Sequence, residues 1–204
     1  MTIYALSSGP GISGIAVIRV SGKHSKKILS SLTGLPLPRE RMASLRKIKN
    51  NKTNELIDEG IVLWLPGPDS YTGEDMVEFH IHGSKAVIDQ LQNVISNFDG
   101  CRIAEPGEFT KLAFQNNKIN LLKAESIGDL IASETELQRK QALRIMSGQS
   151  STKFNNWREE LIKILSDIEA KIDFPDEDLP NNILDEIKKS SDEVITKIKK
   201  ILRF

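Results

Sequence analysis

The sequence predicts an α/β (α+β) domain built on a mixed sheet, followed by a domain of antiparallel helices, with the change near residue 119. Two observations carry this. Up to residue 118, short β-branched runs alternate with Gly and Pro punctuation and with brief helical stretches. After Lys118, Gly and Pro become rare until Pro175, and apolar residues recur at three and four.

The elements follow in order. Thr2–Leu6 and residues 14–21 (GIAVIRVS) read as strands, the second bounded by Gly-Pro-Gly on one side and Gly22 on the other. Residues 25–32 suggest a short helix closed by Gly34. Residues 42–48 and Leu56–Leu65 read as strands joined through the polar turn at residues 50–54. Residues 65–83, LPGPDSYTGEDMVEFHIHG, form a Gly/Pro-rich loop emptying into a further strand. Ser84 can cap a helix carrying Val87, Ile88, Leu91, Val94, Ile95 and Phe98, with Gly100 placed to end it. A strand at residues 101–104 and a helix starting near Glu108 complete the first half. In the second half, helical stripes run through Leu121–Ile131, then through Leu137, Ala142, Leu143, Ile145 and Met146. Another joins Phe154, Trp157, Leu161, Ile164, Leu165 and Ile168. Pro175 and Pro180 bracket an acidic loop, and Ile183–Leu202 forms a last amphipathic helix. It reaches Arg203-Phe204 without a stop signal, which suggests a chain cut inside a larger architecture.

The 28 basic and 28 acidic residues cancel, which argues against a dominant nucleic-acid footprint and leaves room for a local patch. Cys101 is the only cysteine, so no internal disulfide forms and a reducing compartment is the simpler reading. Its expected place is as a small buried residue. No apolar run approaches the ~18 residues that span a bilayer, and the opening MTIYALSSG lacks the basic residues of a secretory signal. A cytoplasmic protein with no membrane partner is expected.

Several residue sets carry chemistry. Gly9-Pro10-Gly11-Ile12-Ser13-Gly14 is either a tight turn or the wall of a binding site; a strand follows it, so it is no dinucleotide fingerprint. Arg19, inside an apolar strand, either has an exposed face or offers its planar donor fork to an anionic or carbonyl-bearing ligand. Alternation puts Glu78, His80 and His82 on one strand face, which is either solvated or lines a polar pocket. The His-x-His spacing could serve a metal, but Glu78 fits better as a recogniser of an amidine-like edge such as that of a pterin. Asp173, Asp176, Glu177 and Asp178 lack the alternation and glycine of a calcium loop and read as a solvated turn. Trp157, Phe154 and Phe174 are expected in the core rather than as base-stacking platforms.

Four stretches, GPGISGIAVIRVSG, LPGPDSYTGEDMVEFHIHG, RIAEPGEFTKLAFQNNKINLLKAESIGDLIAS and IDFPDEDL, closely resemble tRNA-modification GTPases of the MnmE (TrmE) type, in order and spacing, across essentially the whole chain. The resemblance implies that residues 1–118 form a folate-binding and dimerisation domain and that residues 119–204 form part of a helical domain ending where a G domain would be inserted. It implies a bound tetrahydrofolate derivative (5-formyl or 5,10-methylene) contacted by Arg19, Glu78 and Lys118, a homodimer, and a flavin-dependent MnmG-like partner. The reaction implied is an aminomethyl-type modification of the wobble uridine of tRNA, with tRNA contacted indirectly. No catalytic residue and no metal ligand is carried over. GTP, Mg2+ and K+ would need the G domain; no GxxxxGK[ST] occurs in these 204 residues, so no GTPase activity is expected of them alone. Ile12 departs from the family, which usually has an arginine in this loop. Two alternatives stand beside this reading: a dimerisation or docking module without folate, favoured by Ile12, and a free-standing folate-dependent one-carbon transferase.

Overall fold

Among the described residues, runs in which every second residue is apolar become six strands of one sheet, ordered β3-β4-β5-β2-β1-β6. They are β1 (Thr2–Leu6), β2 (Ser13–Ser21), β3 (Ser44–Lys49), β4 (Leu56–Leu65), β5 (Met76–Gly83) and β6 (Cys101–Ile103). All neighbours pair antiparallel except β1 and β6, which run parallel, so the sheet is mixed as expected. The computed structural model describes residues 1–9, 11–173 and 183–202, which fall into two units, Met1–Ala124 and the residues from Glu125 on.

In the first unit, alternation selects one sheet face for the core. Ile18, Val20, Val62, Trp64, Val77, Phe79 and Ile81 pack against Ile28, Leu29 and Leu32 of α1 (Ser25–Thr33) and Leu91, Val94 and Ile95 of α2 (Lys85–Ser96). Each such fully buried side chain contributes about 1.5–3 kcal/mol of transfer free energy. Gly34, at φ +64, closes α1 in the left-handed conformation that glycine adopts without penalty. Helix α2 is capped by Ser84, whose side chain accepts from the Val87 N–H. It stops four residues before Gly100, because the Asn97 and Phe98 N–H groups donate to Val94 and Ile95 and tighten the end into a turn. Gly100 (φ +75) then redirects the chain into β6. Strand β3 starts two residues later than the pattern suggests: Arg41 takes φ +59 and the Met42 N–H donates to the Arg39 carbonyl, so residues 39–42 are a turn. Helix α3 (Glu108–Gln115) returns along the chain after β6.

The helices beyond are α4 (Leu121–Ile131), α5 (Glu136–Met146), α6 (Gln149–Asp173) and α7 (Ile183–Leu202). Thr135 and Gln138 form a reciprocal capping box at the start of α5. Helix α7 runs antiparallel to α6: Lys197 Nζ donates to Glu160 Oε1 at 2.6 Å, while Lys200 and Ile201 share a cleft with Lys153 and Asn156. Ala142, Ile164 and Val194 are buried between these helices. Phe154 and Trp157 are not core residues: Phe154 is 51% exposed and Trp157 half-buried. Periodicity locates the apolar stripe of α6, but among the described residues its neighbours α5 and α7 cover only part of it. The acidic loop bracketed by Pro175 and Pro180, with Phe174, Asp176, Glu177 and Asp178, lies outside the described residues. Among those described, no helix is long and apolar enough to cross a membrane.

Candidate functional site

Register brings the key pair together. On the sheet face turned away from the core, Arg19 of β2 lies directly opposite Glu78 of β5, flanked by Ala5 of β1 and Leu63 of β4. Arg19 donates from Nε (2.9 Å) and Nη2 (2.7 Å) to the same oxygen, Glu78 Oε1. The two side chains are 25% and 15% exposed, so the pair is neither dry nor freely solvated. The guanidinium carbon lies 5.4 Å from the Tyr71 ring centroid and 5.5 Å from that of Phe109, within cation–π range of both. Glu78 Oε2 has only a 3.4 Å contact to His80 Nε2, which leaves acceptor capacity on that oxygen.

Tyr71 and Phe109 are held in place by the β4–β5 loop and α3. The Tyr71 and Thr110 hydroxyls are 2.9 Å apart, the Ser21 and Thr72 hydroxyls 2.7 Å, and Asn116 Nδ2 donates to the Thr72 carbonyl at 2.7 Å. The peptide bond between Gly67 and Pro68 in this loop is cis. The first turn of α3 is clamped to β6 by Arg102, which grips both oxygens of Glu108. Hydrogen bonds from Arg102 hold the Glu108 carboxyl below the usual carboxylate range, against a smaller opposing effect of burial.

Lys118 follows α3, with its N–H bonded to the Ala113 carbonyl at 2.8 Å. Its Cγ lies 3.3 Å from where a Cβ on Gly73 would sit, and Gly73 has φ +82. One loop therefore touches both expected cations, Tyr71 over Arg19 and Gly73 against Lys118, two positions apart.

The histidines separate. His80 turns toward Glu78, whereas His82 engages Asp58 through Nδ1 (2.8 Å) and its backbone N–H (2.7 Å). Burial alone would raise the Asp58 carboxyl, but hydrogen bonds from the His82 backbone and ring and from the Glu59 N–H outweigh it and hold it low. Among the described residues no group of three His, Cys, Asp or Glu could hold a metal. Beside the ion pair, a cross-strand row of Leu45, Ile61, His80 and Val17 lies on the same open face, with Leu45 67% and Ile61 42% exposed. In the Gly-rich loop, Gly11 takes φ +116 and Ile12 is 96% exposed. Cys101 is only half-buried; burial, and then the Asp99 charge, push its thiol up. A cleft of about 630 Å³ at the sheet edge, between the end of α1 and β3, contains neither Arg19, Glu78 nor Lys118.

Sequence reasoning singled out Arg19, Glu78 and Lys118 but missed Tyr71, Phe109 and Asp58. Tyr71 had a signal, an aromatic residue among Gly, Pro and Ser just ahead of the Glu78 strand. Phe109 and Asp58 had none, because only the fold sets α3 over the sheet and β4 beside His82.

Comparison with known proteins gives a consistent picture. Residues 2–118 match the family described as GTP-binding protein TrmE N-terminus, and residues 121–204 match the MnmE helical domain. A protein of Pelagibacter ubique named tRNA modification GTPase MnmE is 70% identical over 202 residues, 99% of this chain and 46% of its own length. Proteins of the same name are 50% identical in Rickettsia rickettsii (91% of this chain, 42% of theirs) and 45% identical in Rickettsia typhi (98% and 45%). The chain thus spans about half the length of the curated relatives it matches. With an N-terminal match over more than half its residues and a helical match over the rest, the chain belongs to the TrmE (MnmE) family.

Proposed function

We propose that this chain is the tetrahydrofolate-binding, dimerising part of a MnmE-type tRNA modification GTPase, with the folate and dimer domain in residues 1–118 and part of the helical domain in 119–204. The observation that carries the reading is the Arg19–Glu78 pair on the open sheet face, between two aromatic rings and with Glu78 Oε2 lightly held. These residues fit a pterin: its amino and ring N–H groups form a parallel donor edge that a carboxylate accepts, and Tyr71 and Phe109 offer flat apolar surface to a planar ring. When bound, a 5-formyl or 5,10-methylene tetrahydrofolate supplies the one-carbon unit.

The chain's own residues bind and orient. Glu78 sets the pterin's rotation; Arg19 fixes that carboxylate by donating twice to its Oε1 and, with Lys118, offers positive charge to the glutamate tail. The exposed row of Leu45 and Ile61 gives a second copy an apolar strip beside the site, which supports dimerisation through this domain. In the whole protein this unit would act in the cytoplasm with a MnmG-like flavoprotein on the wobble uridine of tRNA. GTP hydrolysis, with its Mg2+ and K+, is not assigned to these 204 residues, which carry no phosphate loop.

The test is calorimetric titration of the chain with 5-formyltetrahydrofolate beside Glu78→Ala, with mass by light scattering in parallel. Saturable binding by a dimer, weakened at least tenfold (about 1.4 kcal/mol) in the variant, is expected. A dimer that gives no heat would transfer the assignment to the docking module that the departure at Ile12 favours. Turnover of a folate substrate would instead indicate a one-carbon transferase.

A further inference from the structure

The second unit holds a cleft that the folate reading does not use. It is a cavity of about 590 Å³ among α5, α6 and α7, lined by Arg144, Lys153, Asn156, Trp157, Glu160, Lys197, Lys200 and Ile201. Four cations face one carboxylate, and that carboxylate, Glu160, is already paired with Lys197 at 2.6 Å. Among the described residues Arg144, Lys153 and Lys200 make no ion pair, so about three positive charges line the cleft without a protein counter-charge. For a chain of zero net charge this is a concentrated patch.

A plain reading exists for two of them. Arg144 lies in the last turn of α5 and Lys200 in that of α7, where cations complement the helix dipole. Lys153 has no such reason. It lies near the start of α6, whose amide dipoles already make that end positive, so its charge adds to an anion-attracting field. The fifth feature is Trp157, an indole only half-buried, held edge-to-face against Phe154 with centroids 5.4 Å apart. Phe154 is itself half exposed, so the indole is braced without being covered on all sides.

Cations spaced around a braced aromatic ring, with an amide beside them, are the combination that binds single-stranded nucleic acid. The cations track phosphates and the ring stacks an unpaired base. We infer that the α5–α6–α7 cleft is a direct RNA contact, in which Lys153, Lys200 and Arg144 hold the phosphates of an unpaired segment and Trp157 stacks on one of its bases. The relatives' names as tRNA modification GTPases supply the class of RNA, a folded stem with an unpaired loop. An RNA loop is favoured over an acidic protein because the indole gives a flat stacking surface, which an acidic peptide does not use. The contact is independent of Arg19, Glu78 and Lys118, and its failure would leave the folate reading intact.

The experiment uses the 204-residue chain and a fluorescein-labelled RNA stem-loop, read by anisotropy from about 50 to 200 mM salt, with a fully paired RNA duplex as comparison. The stem-loop is expected to bind, more weakly as salt rises. The double variant Lys153→Glu/Lys200→Glu should lose at least tenfold in affinity. Its log–log salt slope should be shallower by about 1.4, two phosphate contacts at ~0.7 each for single strands. Trp157→Ala should weaken the stem-loop at least fivefold and leave the duplex unchanged, while Trp157→Phe keeps most of the affinity. The chain has two tryptophans and Trp64 is buried, so in a Trp64→Phe background quenching of the remaining indole on RNA addition reports stacking directly. Far-ultraviolet circular dichroism checks that the helices survive each change. The inference is overturned by no saturable binding at the lowest salt, or by charge reversal in the cleft without effect. It is also overturned if the loss follows charge reversal at Arg46 and Lys47 on β3 instead. Competition by polyglutamate equal to that of RNA at matched charge would assign the cleft to an acidic protein and equally overturn it.

Discussion

Removing the charge of Glu78 should cost stability through Arg19. With Glu78→Gln, the guanidinium keeps its place beside Tyr71 and Phe109 but loses the anion that accepts two of its N–H groups at 2.7 and 2.9 Å. Exposed ion pairs contribute about 0–1 kcal/mol, and breaking a buried one costs about 3–5 kcal/mol. Side-chain exposures of 25% and 15% put this pair between those limits, and both donors share one oxygen rather than forming a fork-to-fork pair. A loss of about 1.5 kcal/mol follows, or about 6 °C in Tm at roughly 4 °C per kcal/mol for a unit of this size. Arg19→Met, which keeps an apolar stem near the rings, should cost about as much by leaving Glu78 without its main donor. The double variant should recover about 1 kcal/mol of the summed loss, because no unpartnered charge remains. The assay is urea unfolding in a Trp157→Phe background, followed by the fluorescence of Trp64 in the core of the same unit. Additivity of the two single losses to within about 0.3 kcal/mol would refute the coupling, and with it the view that Arg19 depends on Glu78.

Three further outcomes follow from the same geometry. Gly60→Ala should cost about 3 kcal/mol or more, because its Cβ would lie 2.2 Å from the His80 carbonyl oxygen on the neighbouring strand; soluble protein with an unchanged urea midpoint would contradict this. Gly73→Ala should cost about 1–2 kcal/mol for the left-handed backbone and should weaken 5-formyltetrahydrofolate by displacing Lys118 and Asn116, whose atoms lie 3.3 and 3.1 Å from the new Cβ. Asp58 has its folded pKa lowered, so its stabilisation is present above the unfolded value of about 3.9 and is lost as pH falls through the lower folded value. Asp58→Asn should therefore destabilise at pH 7 and show a flatter acid limb of stability against pH below about 4; parallel curves for the two proteins would count against it.

Much of the sheet was legible because alternation and punctuation agree. Strand β4 starts and ends where the pattern puts it, and β5 carries Glu78, His80 and His82 on one face as period two requires. The ends that moved did so for local reasons invisible to hydropathy, a left-handed Arg41 before β3 and a tightened turn after α2. Arg19 and Glu78 could each be suspected alone, but their pairing needs a strand register that joins positions 59 apart. Asp58 reads as one acid among several in a polar stretch until β4 is laid beside β5 and places it under His82. In the helical half, the period gave each helix and its stripe, yet Phe154 and Trp157 show that a stripe does not say which part of it a neighbour covers.

The sheet order has a consequence for synthesis. Strand β1 sits inside the sheet between β2 and β6, although β6 (Cys101–Ile103) follows it by about a hundred residues of chain. Thr2 is fully buried, and its N–H donates to the Gly100 carbonyl at 2.9 Å. A nascent chain can form the β1–β2 hairpin early but must hold the far edge of β1 open until about a hundred residues have emerged. At roughly 5–20 residues per second, that is a wait of about 5–20 s with an unpaired strand edge at the ribosome. Slowing translation between the codons for β1 and those for β6 should lengthen the interval and raise aggregation.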